Sequence, residues 1–312
     1  MTEFGAGQVT EIGELREACA EAARLGGAVL REKWGTRRTI DYKGGIDLVT
    51  DADRASEEVL LTFLSKRFPG SAVLAEESGA KPAAVGAAGA ELRWFVDPLD
   101  GTTNYAHGVP HFAVNVAVSD GAGLAAGATF DPLRGEMFLA SRGGGAWLGE
   151  QRLAVSRTDD LCRSLLCTGF PYDIQQAPDP LLRLFKAYLQ RARAVRRFGS
   201  AALDLAYVAC GRFDGFWEAR LKAWDVAPGI LLVREAGGRV ADFTGGDEML
   251  HGGSVCAGNP AVQRQMLEVL AEVRAEVRAE VRAGEREDDG QAELGAGARA
   301  DQGPAGSEKA SR

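Results

Sequence analysis

The chain has 312 residues and is 46% hydrophobic, enough to bury one large core or two fused ones, which excludes a wholly disordered protein. Its formal net charge of −8 repels nucleic acid, and the Arg-rich stretch at 191–197 is too short to reverse that, so direct nucleic-acid binding is not expected. Five cysteines, Cys19, Cys162, Cys167, Cys210 and Cys256, form no C-x-x-C pair and read as mostly buried free thiols; with no apolar leader at 1–13 and no run long enough to span a bilayer, a cytoplasmic protein without a membrane partner is expected.

Ile12, Leu15, Cys19, Ala22, Leu25, Val29 and Leu30 recur at spacings of three and four, which predicts an amphipathic helix ending near Gly35. A second helix is expected after Asp51, burying Ala55, Val59, Leu60, Phe63 and Leu64 and ending at Pro69-Gly70. Short apolar runs bounded by Gly, Pro and Asp then predict strands at 72–75, 93–96, 112–118, 124–130 and 136–140. Gly143-Gly144-Gly145 reads as a turn into a hairpin; no Lys or Ser/Thr follows it in phosphate-loop spacing. In the second half, helical patterns at 180–193, 200–210 and 225–236 alternate with strands at 213–217 and 254–256, an α/β layered arrangement. A catalytic domain is expected over 1–268, in halves of roughly 1–150 and 151–268. Beyond it, an Ala-Glu-Val-Arg repeat places Val269, Val273, Val277 and Val281 four apart but also stacks Glu on Glu and Arg on Arg, so 269–312 reads as a frayed helix and disordered tail.

Chemistry concentrates where the strand at 93–96 runs into Asp97-Pro98-Leu99-Asp100-Gly101-Thr102-Thr103. Two carboxylates three residues apart sit where a buried strand becomes a helix start. Pro98 stiffens the turn, Gly101 allows close backbone approach, and the amides near Thr102 suit a phosphate oxyanion. Glu76-Glu77-Ser78 closes an earlier strand, and Trp224-Asp225-Val226-Ala227-Pro228-Gly229 opens a later helix, with Asp225 as its cap and Pro228 in its first turn. Carboxylates gathered within about 5 Å repel by roughly 3 kcal/mol per ionised pair, which cations or protons relieve. Every candidate ligand is oxygen, so Mg²⁺ is expected first, Mn²⁺ second, and not Zn²⁺. Taken singly, each acidic element could be only a turn, a cap or a solvated strand end.

Together these segments, with Asn104-Tyr105, Asp47-Leu48-Val49-Thr50-Asp51-Ala52-Asp53, Gly199-Ser200-Ala201 and Glu235-Ala236-Gly237-Gly238, resemble the inositol monophosphatase family over roughly the first 265 residues. The resemblance implies an αβαβα sandwich with an N-terminal α+β half and a C-terminal α/β half, a homodimer, and magnesium-dependent, lithium-sensitive hydrolysis of a phosphate monoester. By resemblance, Glu76, Asp97 and the Leu99 carbonyl would hold one metal and Asp97, Asp100 and Asp225 a second, two or three metals per site in all. Thr102, paired with Asp53, would act with Glu76 on the attacking water. Asp100, Gly101, Thr102, Ala201 and Glu218 would contact substrate. The implied substrate is a small phosphorylated polyol or sugar, myo-inositol monophosphate first, with fructose-1,6-bisphosphatase, histidinol-phosphate phosphatase or a transcription-complex accessory role as alternatives. Thr103-Asn104 follows the inositol-type signature and argues against a nucleotidase. The bland reading of Glu218 is an exposed residue paired with Arg220 or Lys222. His107 and His111 are read as loop residues and not as general acids. Pro228, where alanine is more usual, and the tail depart from the family pattern.

Overall fold

The computed structural model describes residues 11–35, 40–43, 47–84, 86 and 89–300. Helix α1 (Ile12–Lys33) forms where its apolar period predicts. Leu25, expected on the buried face, is exposed, and Gly26 and Gly27 take the contact instead. A Cβ on Gly27 would fall 2.5 Å from the Phe130 ring, so the helix backbone itself is the packing surface. Such an approach is invisible to a count of apolar side chains.

Two short antiparallel strands, β1 (Ile40–Lys43) and β2 (Asp47–Thr50), lead into α2 (Asp51–Arg67). The expected buried face of α2 needs correction: Ala55, Val59 and Phe63 are only half-buried, while Ala52, Asp53, Ser56 and Glu57 join Leu60 and Leu64 inside. The polar members are tolerated because each is bonded. Asp53 closes a capping box with Thr50, Ser56 Oγ donates to Pro98 O at 3.0 Å, and Glu57 accepts from the amides of Glu77 and Ser78, each at 2.9 Å.

The first sheet comprises β3 (Ala72–Ala75), β4 (Gly79–Lys81), β5 (Arg93–Asp100), β6 (Ala113–Asp120), β7 (Gly123–Asp131), β8 (Glu136–Ser141), β9 (Gly145–Leu148) and β10 (Gln151–Arg152), with α3 (Thr102–His107) between β5 and β6. Its order is β10-β9-β8-β7-β6-β5-β3-β4, antiparallel except for the parallel β3–β5 pair. Strand β5 does not stop at Val96 as its apolar run suggests. A bulge between Asp97, opposite Asn115, and Asp100, opposite Ala113, accommodates Pro98 and lets the ladder resume.

The second half supplies β11 (Leu165–Thr168), α4 (Asp179–Leu189), β12 (Ala194–Arg196), α5 (Ala201–Ala209), β13 (Gly215–Ala219), α6 (Ala223–Glu235), β14 (Arg239–Ala241), α7 (Met249–Gly252), β15 (Ser254–Gly258) and α8 (Pro260–Ala300). Its sheet is ordered β12-β11-β13-β15-β14, parallel from β12 to β13 and antiparallel beyond.

Three buried clusters make the layers. Helices α1 and α2 pack on one face of the first sheet through Leu15, Leu30, Leu60, Val114 and Val116. Helices α5 and α6 fill the space between its other face and the second sheet, through Phe138, Leu205, Ile230, Phe216 and Val255. On the far side, α4 and α8 bring Leu184, Tyr188, Met266 and Leu270 against Trp217 and Cys256. This is the αβαβα order, produced by strands that alternate faces along their length.

Helix α8 corrects the expected boundary at 268. Val269, Leu270 and Val273 are buried, Arg183 Nη1 of α4 pairs with Glu280 and Arg191 Nη2, just past the end of α4, with Glu272, and the helix continues to Ala300. Burial of one face outweighs like-charge pairs worth a few tenths of a kcal/mol each. The expected disordered stretch at 301–312 and the first ten residues of the leader reading lie outside the described residues. No disulfide is formed among the described cysteines; Cys19, Cys167 and Cys256 are buried, whereas Cys162 is exposed. No helix among the described residues is long and apolar enough to cross a membrane.

Candidate active site

A cleft of about 800 Å³ opens where the end of β5 and the start of α3 face the first turns of α5 and α6. Glu76, Asp97, Leu99, Asp100, Gly101, Thr102, Ala201, Glu218 and Asp225 all line it. Asp53 lies behind this wall, fully buried, and reaches the cleft through Thr102. The first sheet thus contributes one wall and the second half the other.

Parallel pairing of β3 with β5 places Glu76 beside Asp97: the Glu76 amide donates to Val96 O at 3.1 Å. The bulge turns Asp97 inward, where its Oδ1 accepts from the Leu99 amide at 3.0 Å. Asp100 leaves β5 toward the second half, and its Oδ2 accepts from Ser200 Oγ at 2.5 Å and the Ala202 amide at 2.8 Å. Gly101 caps α3 with φ 91°, and a Cβ there would meet His111 O at 3.1 Å and Gly199 O at 3.2 Å, so a side chain would be both strained and crowded.

Asp225 is not the helix cap that its sequence position suggests. Helix α6 begins at Ala223, and Asp225 occupies its third position, with Oδ2 accepting from the Lys222 amide at 2.6 Å. Pro228 therefore lies inside the helix and cannot donate to Trp224 O. Asn115 of β6 repairs the gap: its Nδ2 donates to both Trp224 O and Asp225 O at 2.9 Å, while Thr129 Oγ1 donates to its Oδ1 at 2.6 Å. Gly127 leaves room for the ring, since a Cβ there would fall 2.9 Å from Pro228 Cα.

Burial raises Asp97, Asp100 and Asp225 alike. Asp97 is pushed well above the usual range by burial, then by Glu76, Asp100 and Asp225; Asp225 is pushed up to about 8 by burial and Asp100. Asp100 rises to about 6 by burial, with the Ser200 and Ala202 bonds opposing the shift. Buried, oxygen-only and mutually repelling donors fit a hard divalent cation. Among the described residues no three His, Cys, Asp or Glu side chains are already gathered into a ready-made ligand cluster.

Thr102 Oγ1 lies 3.2 Å from Asp53 Oδ1 and 3.0 Å from Leu99 O, either of which can accept its proton. The other Asp53 oxygen is fixed by Thr50, whose amide donates at 2.8 Å and whose hydroxyl donates at 2.5 Å. One carboxylate therefore both caps α2 and orients Thr102. Glu218, near the end of β13, is buried rather than exposed, and its pKa rises to about 8 through burial and Asp100, with Arg197 opposing. Arg220 pairs with Asp173 instead of with Glu218. Gly169 makes room for the Glu218 carboxyl, which a Cβ would meet at 2.2 Å. Neither His107 nor His111 lines the cleft; His111 is buried beside Phe198, and burial lowers its pKa to about 4.

Several supporting residues escape a reading by motif. Asn104 Nδ2 donates to His111 O and Phe198 O, each at 2.8 Å, tying α3 to the loop before Ser200. Ser200 itself caps α5 while holding Asp100. Asn115 had a visible signal, a lone amide inside an apolar strand; Glu57 had one too, four residues after Asp53 on the same helical face. Arg197 and the rim at 169–175 carry no local signal.

Residues 11–279 match the sequence profile described as the inositol monophosphatase family. A protein named inositol-1-monophosphatase from Mesorhizobium japonicum is 42% identical over 258 residues, 82% of this chain and 96% of the relative. A protein named Nus factor SuhB from Pseudomonas aeruginosa is 44% identical over 234 residues, 74% of this chain and 86% of the relative. Among solved structures, the extragenic suppressor protein suhB from Bartonella henselae superposes with TM-score 0.77 at 38% identity, covering 81% of this chain and 97% of that one. The inositol monophosphatase from Anabaena (Nostoc) superposes with TM-score 0.75 at 37% identity, covering 84% and 97%. Relatives named Nus factor mean that net charge is no ground for excluding nucleic acid from the partners of this chain.

Proposed function

Because the chain belongs to the inositol monophosphatase family, we propose that it hydrolyses the phosphate monoester of a small polyol, myo-inositol monophosphate foremost, in a Mg²⁺-dependent reaction. The observation that carries this reading is the junction of Glu76, Asp97, Asp100 and the Asp53–Thr102 pair on one cleft wall with Asp225 and Glu218 on the other.

Glu76, Asp97, Asp100, Asp225 and the Leu99 carbonyl are the donors that would hold the cations. When bound, these supply charge neutralisation for the phosphate and lower the pKa of water. The chain's own contribution is orientation. Thr102, with its proton directed to Asp53, turns a lone pair toward the cleft, where it can accept from a water held at Glu76. Gly101 and Thr102 line the cleft where the phosphate would sit, so that backbone groups at the start of α3 would contact its oxygens. Glu218, protonated in the free protein near neutral pH, can donate to one polyol hydroxyl and accept from another. No covalent intermediate is required.

Phosphate release from inositol monophosphate, fructose 1,6-bisphosphate and histidinol phosphate, with and without Mg²⁺, tests the proposal. The highest kcat/KM is expected for inositol monophosphate, with activity lost on chelation; metal-independent or absent hydrolysis would refute it. Lithium inhibition and a homodimer belong to the same proposal, read by inhibitor titration and light scattering. A second reading, a role beside the transcription machinery, is favoured by the relatives named Nus factor SuhB. Deletion and Asp97→Asn strains separate the two: equal phenotypes support catalysis, whereas full function of Asp97→Asn in the cell supports the second.

A further inference from the structure

The connection from β13 to α6 carries Arg220 with φ 65°, the one non-glycine residue among those described in the left-handed region. Such a residue is strained and persists only where its surroundings over-determine it. Here β13 stays paired with β15 as far as Ala219 opposite Ser254, the Leu221 amide donates to Gly253 O at 2.8 Å, and the Lys222 amide is held by Asp225. Glycine would take the same φ without penalty, so the backbone gives no reason for an arginine.

Its side chain gives one. Arg220 Nη1 lies 2.5 Å from Asp173 Oδ2, and Asp173 belongs to the facing rim of the cleft, residues 169–175. That rim starts at Gly169, directly against the Glu218 carboxyl, and includes Tyr172, which is 51% exposed. Arg220 leaves the other side, two residues after Glu218. The ion pair therefore joins the two segments, one leaving β11 and one leaving β13, that flank the polyol-facing carboxyl on the second half's side of the cleft.

We propose that the Arg220–Asp173 pair is a latch that sets the width of the compartment over Glu218 and so selects among polyol phosphates by size. Arg220 acts through the rim, as a positioning residue; it does not touch the reacting atoms. The inference rests on the reading of this cleft as a phosphatase site. Both side chains are close to half exposed, so the effect is modest, about two- to fivefold.

The full chain as Arg220→Gly, Asp173→Asn and the double variant decides the matter. Without substrate, hydrogen exchange at the amides of 170–176 is expected to quicken about two- to fivefold in each single variant and no further in the double. Arg220→Gly is expected to keep or raise Tm, by roughly 2–4 °C, because strain is relieved. With Mg²⁺, KM for inositol monophosphate should rise while kcat changes less than about twofold, and the preference for inositol monophosphate over glycerol phosphate should narrow. Unchanged exchange in both single variants, additive effects in the double, or an unaltered substrate preference overturns the latch. Asp173→Asn alone carries the test where Arg220→Gly fails to fold. A wild type that releases no phosphate sinks the functional reading, while the exchange data still judge the latch.

Discussion

Glu218 and Gly169 face each other across a gap too small for one more carbon, and that contact makes the substrate compartment sensitive to a single methyl group. Gly169→Ala is expected to displace the Glu218 carboxyl and raise KM for inositol monophosphate about tenfold while kcat falls less, since the hydrolytic wall on β5 is untouched. Steady-state kinetics checks this, and an unchanged KM would remove Glu218 from substrate contact. On the opposite wall, Thr102→Ala should lower kcat by roughly 10²–10³ with little effect on KM if, as proposed, the residue acts on the water and not on the polyol. Asp97 and Asp100 stand out in the sequence because charge placed at a strand end is costly without a reason, whereas Glu218 and the role of Thr102 come only from the family resemblance and Gly169 carries no signal. Their partners were less legible: Asn104, Ser200 and Asn115 act through backbone groups brought close by the fold, and spacing along the chain does not encode that.

At the scale of the element, α6 shows how a helix start can be positioned by a neighbouring strand. Pro228 leaves the Trp224 carbonyl without its helical donor, and Asn115 of β6, the residue opposite Asp97, supplies one. Asn115→Ala should cost about 1–3 kcal/mol in denaturant unfolding, since it strands buried carbonyls. In a Pro228→Ala background the cost should shrink, because the new amide can bond Trp224 O; a double-mutant cycle with no coupling would break this account. The sequence reading placed the helix two residues late and made the proline harmless, since a first-turn proline is the commoner case. Helix α8 teaches the reverse lesson. Counting like charges along the repeat suggests fraying, yet Val269 and Val273 have a core to enter, and Arg183 of α4 and Arg191 just beyond it pair with the glutamates. Removing residues 284–312 should leave Tm within about 2 °C, whereas truncation at 268 should lower it severely by exposing the third core.

For the whole molecule, the carboxyl cluster inverts the usual acid response. Asp53 and Asp100 lie at about 6, Glu218 and Asp225 at about 8, all raised by burial. Between their unfolded values and these, the folded chain keeps protons that the unfolded chain has released, so stability falls as pH rises through about 4 to 8. The metal-free protein is expected to melt higher near pH 5 than near pH 8, and Mg²⁺ should raise Tm more at the higher pH, where the carboxylates are ionised. Calorimetry at both values, with and without chelator, reads this directly; a metal-free chain more stable near pH 8 would contradict it. The layered architecture was legible because apolar runs and helical periods alternate clearly along the chain. The cleft between the halves was not, since it depends on how α5 and α6 seat between two sheets.

Asp100 belongs to the first sheet but is held by Ser200 and Ala202, a hundred residues later. Asp225 follows later still. A nascent chain that has finished its first sheet already carries Glu76, Asp97, Thr102 and Asp53, yet nothing anchors Asp100 and the second acidic helix start has not been made. On the proposed reading, hydrolytic capacity thus arrives late in synthesis, and a chain cut short would be chemically silent however well its first layer has folded.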